Sequence, residues 1–450
     1  MSERTVIFGA GLAGLSAADM LSARGREVHI FERLPQLGGL ARNVRMGGFT
    51  FDLGGHRFFS ADPGLIAWLQ ELLGDDLLTV DRRSRIMLGD RFFDYPLRPA
   101  NAMLGFGARD TARIVRDYGT AALGRLLGRS RDDDFESWIC SRFGRALFEI
   151  YFRPYTEKTW SLPSSEISAD WANTRIQLLS LFDAVRKALL SSRRSPRTYA
   201  SQFFYPRGGI GRIAQALAKR VEAHGSVIHH VRGVERVRHE NGRVRAALVR
   251  EPDGLVEVQG AQFISSVPIT ELIRILDPQP PTQVQDAARM LAYRSLVCVF
   301  MIIDLEQVSD DTWIYFPNTA QIFGRSHEPR NWEREMSEPG MTSLCLEIFC
   351  GPGDAAWELD DKALADLAVR DLVATGLVAR DKIRTAFIER VPDAYPLFRV
   401  GYERQLAVLT QYLSTLENLH PVGRTGRFAY LNMDEVVADA LDLAGRLGEG

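Results

Sequence analysis

The chain opens on a short apolar run, Thr5–Phe8, that breaks at Gly9-Ala10-Gly11-Leu12-Ala13-Gly14. An alanine-rich amphipathic stretch follows, and a second apolar run, Val28–Phe31, ends in Glu32. This order predicts strand, tight turn, helix, strand and acid, the context in which G-x-G-x-x-G marks a dinucleotide site. Gly9 permits the turn, Gly11 lets backbone N–H groups approach a pyrophosphate, and Gly14 lets the helix pack close to the strand. The helix N-terminus adds positive potential for the phosphates. Glu32 stands where a carboxylate accepts hydrogen bonds from ribose hydroxyls and repels a 2′-phosphate. An ADP-containing cofactor is therefore expected.

Further along, the period changes. Residues 226–230, 234–239 and 244–250 are short β-like runs, with Asn241-Gly242 as a hairpin signal between the last two. Residues 262–268 read as a buried strand returning toward the nucleotide. Residues ~75–200 are mainly helical in pattern, whereas ~280–410 alternate strand-like runs (296–303, 343–349) with helix (362–375). Near the C-terminus the turn-like stretch 421–432 gives way to a helix with Asp434 and Glu435 in its first turn, as the helix dipole favours. The chain is α/β.

The residues after Glu32 separate NAD from FAD. They read Arg33-Leu34-Pro35-Gln36-Leu37, Gly38-Gly39-Leu40-Ala41-Arg42 and, later, Phe51-Asp52-Leu53-Gly54-Gly55-His56-Arg57-Phe58. This resembles the second fingerprint of FAD flavoproteins of the amine-oxidase group, which includes protoporphyrinogen oxidases, phytoene desaturases and UDP-galactopyranose mutases. The resemblance implies a Rossmann-like FAD-binding domain of the amine-oxidase type, with an inserted helical and mixed α/β substrate domain. The FAD-binding part is expected from residues 1–75, 203–275 and 415–450, with a mainly helical insertion at 76–202 and substrate-domain sheet and helices at 276–414.

By the same resemblance, Gly9, Gly11, Ala13 and Gly14 face the cofactor, with Glu32, Arg33 and Val234 toward its adenosine end. Gly38, Gly39 and Leu40 pass over the phosphates, Arg42 holds ribityl or phosphate oxygens, and the backbone of Gly54, Gly55 and His56 lies against the isoalloxazine. Gly423, Arg424, Asn432 and Met433 close the flavin site, Asn432 standing where the mutases carry an aspartate. The Tyr205-Pro206-Arg207-Gly208-Gly209 loop is expected beside the flavin face. It is not a second dinucleotide site, because no strand-turn-helix-strand-acid unit surrounds it.

Tyr151-Phe152-Arg153-Pro154-Tyr155-Thr156-Glu157-Lys158-Thr159-Trp160 and Ala394-Tyr395-Pro396 resemble segments that border the mutases' sugar-diphosphate pocket. The resemblance implies that Trp160 walls the pocket and that Tyr395 and Tyr430 bond phosphate or sugar oxygens, with Arg57 and Arg175 as further substrate contacts. His56 is the candidate catalytic residue, since an imidazole accepts a proton near neutral pH. Two departures stand out. The mutases' first pocket arginine falls in register on Thr174, leaving Arg175 one residue late, a rotation of about 100° on a helix. Their second falls near Ser343, where there is no arginine. The expected function is an FAD-dependent oxidoreductase acting at flavin N5 on a small molecule, a carbohydrate or sugar nucleotide among the candidates. The alternative is a pyranose/furanose mutase that uses reduced FAD as nucleophile.

Composition changes little. The 450 residues are 46% hydrophobic with a net charge of −2, enough for two sizeable cores and no reason to propose nucleic acid as a partner. No run approaches the ~18–20 apolar residues of a membrane span. The early first strand leaves no room for a signal peptide, so a cytoplasmic protein is expected. Cys140, Cys298, Cys345 and Cys350 lack C-x-x-C spacing and read as thiols rather than disulfides or a metal site. The basic stretch from Arg186 to Arg197 reads as a solvated loop. A homo-oligomer is left open.

Overall fold

The computed structural model describes residues 4–95, 99–130, 132–175 and 202–448; the basic stretch around Arg186 to Arg197 lies outside them. Thr5–Phe8 is the middle strand of a five-stranded parallel sheet, with Val6, Ile7 and Phe8 fully buried. Its neighbours are Gln262–Ser265 on one side and Val28–Phe31 on the other, and Leu419–Pro421 and Val227–His229 form the edges. A strand buried on both faces must be apolar throughout, which is why these runs do not alternate. Ile7 and Ile30 pack with helices Leu12–Ala23, Gly211–Ala223 and Met433–Gly448 on one face. Val6, Phe8, Phe31 and Phe263 pack on the other, against the four-stranded sheet that contains Val234–Glu240 and Arg243–Glu251. Asn241 and Gly242 both take positive φ (51° and 74°) in the hairpin between these two strands. Residues 226–230 behave differently from the other β-like runs, because Val227–His229 joins the parallel nucleotide sheet.

The second large sheet has seven strands. Its order is Ile383–Pro396, Tyr293–Ile303, Thr342–Cys350, Arg325–His327, Trp313–Tyr315, Ser84–Leu88 and Arg91–Asp94. All nine residues of Thr342–Cys350 are buried. Two of the strands come from the stretch read as mainly helical, and Leu77–Asp81 also pairs with Gln202–Pro206. Strands this short are outweighed in a periodicity window by the helices Pro99–Leu126, Phe135–Phe143 and Arg153–Trp160 that follow. No helix among the described residues is long and apolar enough to cross a membrane. The four cysteines are unpaired.

At the edge of the nucleotide sheet, four side chains form a directed relay. Arg232 Nη1 lies 3.3 Å from His229 Nδ1, His229 Nε2 lies 3.1 Å from His29 Nδ1, and His29 Nε2 lies 3.1 Å from Glu27 Oε1. Arginine can only donate and carboxylate only accept, so the chain closes when both imidazoles are neutral and carry hydrogen on Nε2. An added proton would set two donors face to face. Burial, reinforced by His29 and Arg232, brings His229 down to about 4, and burial with Arg4 lowers His29. His229 also stacks on Phe31, with ring centroids 4.5 Å apart, and its carbonyl accepts the Glu32 N–H at 2.9 Å.

Between pH 4 and 6.5 the unfolded chain binds a proton that folded His229 refuses, and His29 acts in the same direction, so the contribution is complete above pH 6.5 and is lost as pH falls. Buried Asp52, raised to about 6, has the opposite sign in that window, because its folded carboxyl holds a proton that the unfolded one has released. The relay is therefore isolated by comparing variants. Thermal midpoints measured at pH 7.5 and 5 should fall further for the wild type than for His229→Gln, and parallel profiles would rule the relay out as a source of acid sensitivity.

Candidate functional site

A cleft of about 420 Å³ opens beside the Thr5–Phe8 and Val28–Phe31 strands, within the ~300–1,000 Å³ span of small-molecule sites. Its floor follows from glycine geometry. Gly9 has φ +97°, and a Cβ there would stand 2.5 Å from Ser266 Oγ. A Cβ on Gly14 would overlap the Gly9 carbonyl oxygen, so this glycine lies behind the turn and off the cleft wall. Gly11 is different. Its nearest neighbour is Gly39 Cα at 3.9 Å, so the chain tolerates a methyl group there and only a ligand would not.

The second glycine pair runs alongside the first loop. Gly38 N–H donates to the Ala10 carbonyl at 2.9 Å, and Gly38 has φ +103°. Ala13, Gly38, Gly39 and Leu40 line the cleft, and Arg33 and Val234 lie on its wall near Glu32. The Glu32 carboxylate is buried and held by two backbone donors, Ala10 N–H at 2.8 Å and Leu34 N–H at 2.9 Å. Helix Leu12–Ala23 starts with no side-chain cap and no acid in its first turn, leaving its N–H groups for an anion. Arg42 bonds the Gly39 carbonyl at 3.0 Å and Glu389 at 2.6 Å, tying the loop to the large sheet.

The far wall comes from the C-terminal segment. Gly423 has φ +76° and abuts Ala13, and Met433 also lines the cleft. Asn432 is off the wall, with its N–H donating to Glu435 at 2.6 Å. Arg424 folds back so that Nε and Nη2 donate to the Leu431 carbonyl at 2.9 and 2.7 Å.

Gly54 and Gly55 form the turn that presents His56 at the inner end of the cleft. The His56 Nδ1 is shut away from solvent with no partner. Burial and then the Arg424 charge bring its pKa down to about 4, so the imidazole is neutral.

Beyond His56 and Arg424 lies an aromatic cluster. Tyr395 and Tyr430 stack with centroids 5.7 Å apart, and the Arg424 guanidinium sits 5.4 and 5.3 Å from the two rings. Trp160 meets Tyr395 edge-on at 6.4 Å. Arg57 lies with its guanidinium 5.1 Å from the Trp313 ring. Arg175 ends helix Ala169–Arg175, at the border of the described residues.

The motif around Trp160 is mostly fastening. Glu157 accepts from Ser164 N–H at 3.1 Å, and Lys158 donates to the carbonyls of Phe316 and Asn318 at 2.9 and 2.7 Å. Burial brings Lys158 down to about 7. Thr159 bonds the Tyr155 carbonyl at 2.8 Å and receives Arg294 on its own carbonyl at 3.0 Å. Those ties hold the helix that carries Tyr155 and Trp160.

The structure also supplies an arginine that the sequence register missed. Ser343 is fully buried and faces Ser337, but the adjoining strand Arg325–His327 brings in Arg325 opposite Glu347. Arg325 Nε donates to Glu347 Oε1 at 2.7 Å, and Nη2 bonds Oε2. Burial alone would raise the Glu347 pKa, but Arg325 and His327 hold it down to about 2. Tyr155 and Tyr395 lie close enough to feel the Arg325 charge. The available signal was an arginine inside the short Gly324-Arg325-Ser326-His327 run, and only strand pairing sets it opposite Glu347.

The Tyr205–Gly209 loop does not run along the cleft. A Cβ on Gly209 or Gly211 would collide with the Asn43 side chain, so these glycines admit an amide rather than a flat ring. Tyr205 OH donates to Asp52 at 2.6 Å and Ile210 N–H to the same carboxylate at 3.1 Å, bracing the strands just before Gly54.

Comparison with known proteins agrees with this geometry. A family model described as flavin containing amine oxidoreductase matches residues 12–424, and the chain belongs to that family. It is an FAD-dependent enzyme of the oxidoreductase family, with FAD as cofactor. Among curated proteins, a coproporphyrinogen III oxidase of Mycobacterium bovis is 26% identical over 94% of this chain and 95% of its own. A zeta-carotene-forming phytoene desaturase of Myxococcus xanthus is 24% identical over 62% of this chain, a match that spans only 56% of that desaturase. A solved structure of reduced UDP-galactopyranose mutase superposes with a TM-score of 0.83 at 21% identity, covering 100% of this chain and 95% of the mutase. Putrescine oxidase bound to putrescine superposes at 0.67 and 17% identity, covering 100% and 99%.

The two glycines separate folding from cofactor binding. Gly14→Ala should lower the thermal midpoint of the apoprotein. Gly11→Ala should leave that midpoint in place while the FAD-to-protein absorbance ratio drops at least about tenfold. Full FAD loading in Gly11→Ala would move the phosphates elsewhere.

Proposed function

We propose that this enzyme isomerises a nucleotide sugar between pyranose and furanose forms with no net redox change. The observation that carries the reading is Arg325, a guanidinium fixed on Glu347 and lying over Phe349, which packs on Tyr395, near enough to His56 of the cofactor cleft to act on its charge. With Arg424 and the stacked Tyr395 and Tyr430, it makes an anion-binding end suited to a sugar diphosphate. The fold shared with reduced UDP-galactopyranose mutase over the whole chain supports this at the level of architecture.

The glycine cradle and buried Glu32 fit FAD. Gly9, Gly11, Ala13, Gly38, Gly39 and Leu40 would hold its diphosphate, with Gly14 behind them. Glu32 would hold the adenosine ribose, with Arg33 and Val234 beside it, and Arg42 would lie toward the ribityl chain. Gly54, Gly55, His56, Gly423, Arg424 and Met433 would surround the flavin end, with Asn432 behind them. When bound, FAD supplies a nucleophile in its reduced form or a hydride acceptor in its oxidised form.

The protein's own groups favour the first use. An imidazole held near pKa 4 is unprotonated at neutral pH and is a weak proton acceptor. A reaction that takes its nucleophile from the cofactor asks for no stronger side-chain base. The unpartnered His56 Nδ1 then serves a sugar hydroxyl by hydrogen bonding. Trp160 walls the pocket, and Arg57 and Arg175 are candidates for outer substrate contacts.

The second reading is hydride transfer from a small-molecule substrate. The Trp160, Phe349, Tyr395 and Tyr430 rings would seat a flat or apolar substrate, in keeping with the coproporphyrinogen oxidase and desaturase matches.

Anaerobic incubation of oxidised and reduced enzyme with UDP- and dTDP-sugars distinguishes the two. The proposal expects a furanose product from reduced enzyme alone, without stoichiometric change in flavin absorbance. Substrate-dependent bleaching of oxidised flavin would favour hydride transfer instead. In either case His56→Ala should keep FAD and lose turnover by about 10²-fold, the scale of losing a group that orients the reacting atoms. Unchanged turnover would refute a role for His56.

A further inference from the structure

Glu347 belongs to no glycine motif, yet two parts of the site converge on it. It has zero exposure, in the strand whose nine residues are all buried. Its Oε1 accepts the Gly55 N–H at 3.1 Å and Arg325 Nε at 2.7 Å, while Oε2 takes Arg325 Nη2. A Cβ on Gly54 would stand 2.9 Å from Oε2, so the turn reaches the carboxylate only because residue 54 is glycine. His327 packs against it, Nδ1 3.8 Å from Oε1, with the ring 2% exposed and neither nitrogen otherwise partnered.

We infer that Glu347 is a positioning residue that fastens Arg325 and the Gly54–Gly55 turn to one carboxylate, so that the substrate-facing cation and the turn presenting His56 are held as a unit. A buried pair of this kind is costly to open, because removing one partner leaves the other charge unpaired. Arg325 therefore meets a ligand with its remaining N–H groups while its other edge stays on Glu347. Because the pair is internally neutral, it selects a planar or tetrahedral oxyanion by direction more than by net charge. The Arg325 half of this inference rests on the anionic substrate proposed above; the Gly55 half does not.

A double-mutant cycle on the holoenzyme, with Glu347→Gln, Arg325→Met and the double variant, tests both halves. Two quantities are read: UDP affinity by flavin-fluorescence titration, and the midpoint potential and absorption spectrum of the ligand-free flavin. Glu347→Gln should weaken UDP binding about tenfold or more and shift the flavin spectrum and potential. In the Arg325→Met background the same change should leave UDP affinity unaltered but still shift the flavin. Equal UDP losses in both backgrounds would overturn the route through Arg325, and an unshifted flavin would overturn the route through Gly55. If no variant, nor the wild type, binds UDP, the proposed substrate fails while the flavin readout still decides the role of Glu347. Should Glu347→Gln not fold, the double variant, which removes both charges, is compared with Arg325→Met alone. Glu347→Asp, which keeps the charge, should restore most of both signals.

Discussion

Helix Leu12–Ala23 lies so close to the first strand that a single carbon on Gly14 would occupy the space of the Gly9 carbonyl oxygen. That contact sets the helix's height over the sheet, and much else is arranged from it. It brings the uncapped helix start to the strand's end and leaves Gly11 open to the cleft. It also puts Ala13 against Gly423 from the far end of the chain. The second glycine pair is then bonded to the first loop through Gly38 and Ala10. A cofactor site on this frame is a place where backbone, not side chain, forms the surface.

The large sheet reaches the same cleft from the other side by polar ties. Arg42 spans from the Gly39 carbonyl to Glu389 on the edge strand, and Glu347 on a fully buried strand takes the N–H of Gly55. Both ties are charge-assisted and partly or wholly removed from water, where such bonds are strongest and least forgiving of a missing partner. The large sheet is therefore registered to the glycine loops of the cleft by side chains that touch both.

The cofactor half could be read from the sequence because its determinants are local. Strand, glycine turn, helix and Glu32 lie within 28 residues, Thr5 to Glu32, and each has a steric or electrostatic reason to be there. The same holds for Asn241-Gly242, whose positive φ pair follows from residue type. The large-sheet half was harder to read. Arg325 meets Glu347 only through strand pairing, and counting along the chain led to buried Ser343 instead. The Gly209 reading failed for a related reason: glycine reports that something approaches closely, and the approaching group was Asn43, far away in sequence. Short strands such as Ser84–Leu88 were hidden by the helices that follow.

The strand order of the nucleotide sheet also bears on how the protein is made. Leu419–Pro421 completes one edge, and helix Met433–Gly448 covers Leu12–Ala23, an element that leaves the ribosome more than four hundred residues earlier. Until residues 419–448 emerge, the far wall of the cleft is missing and the first helix keeps an apolar side bare to water. A chain halted before residue 419 would therefore carry the first glycine loop without the wall that faces it.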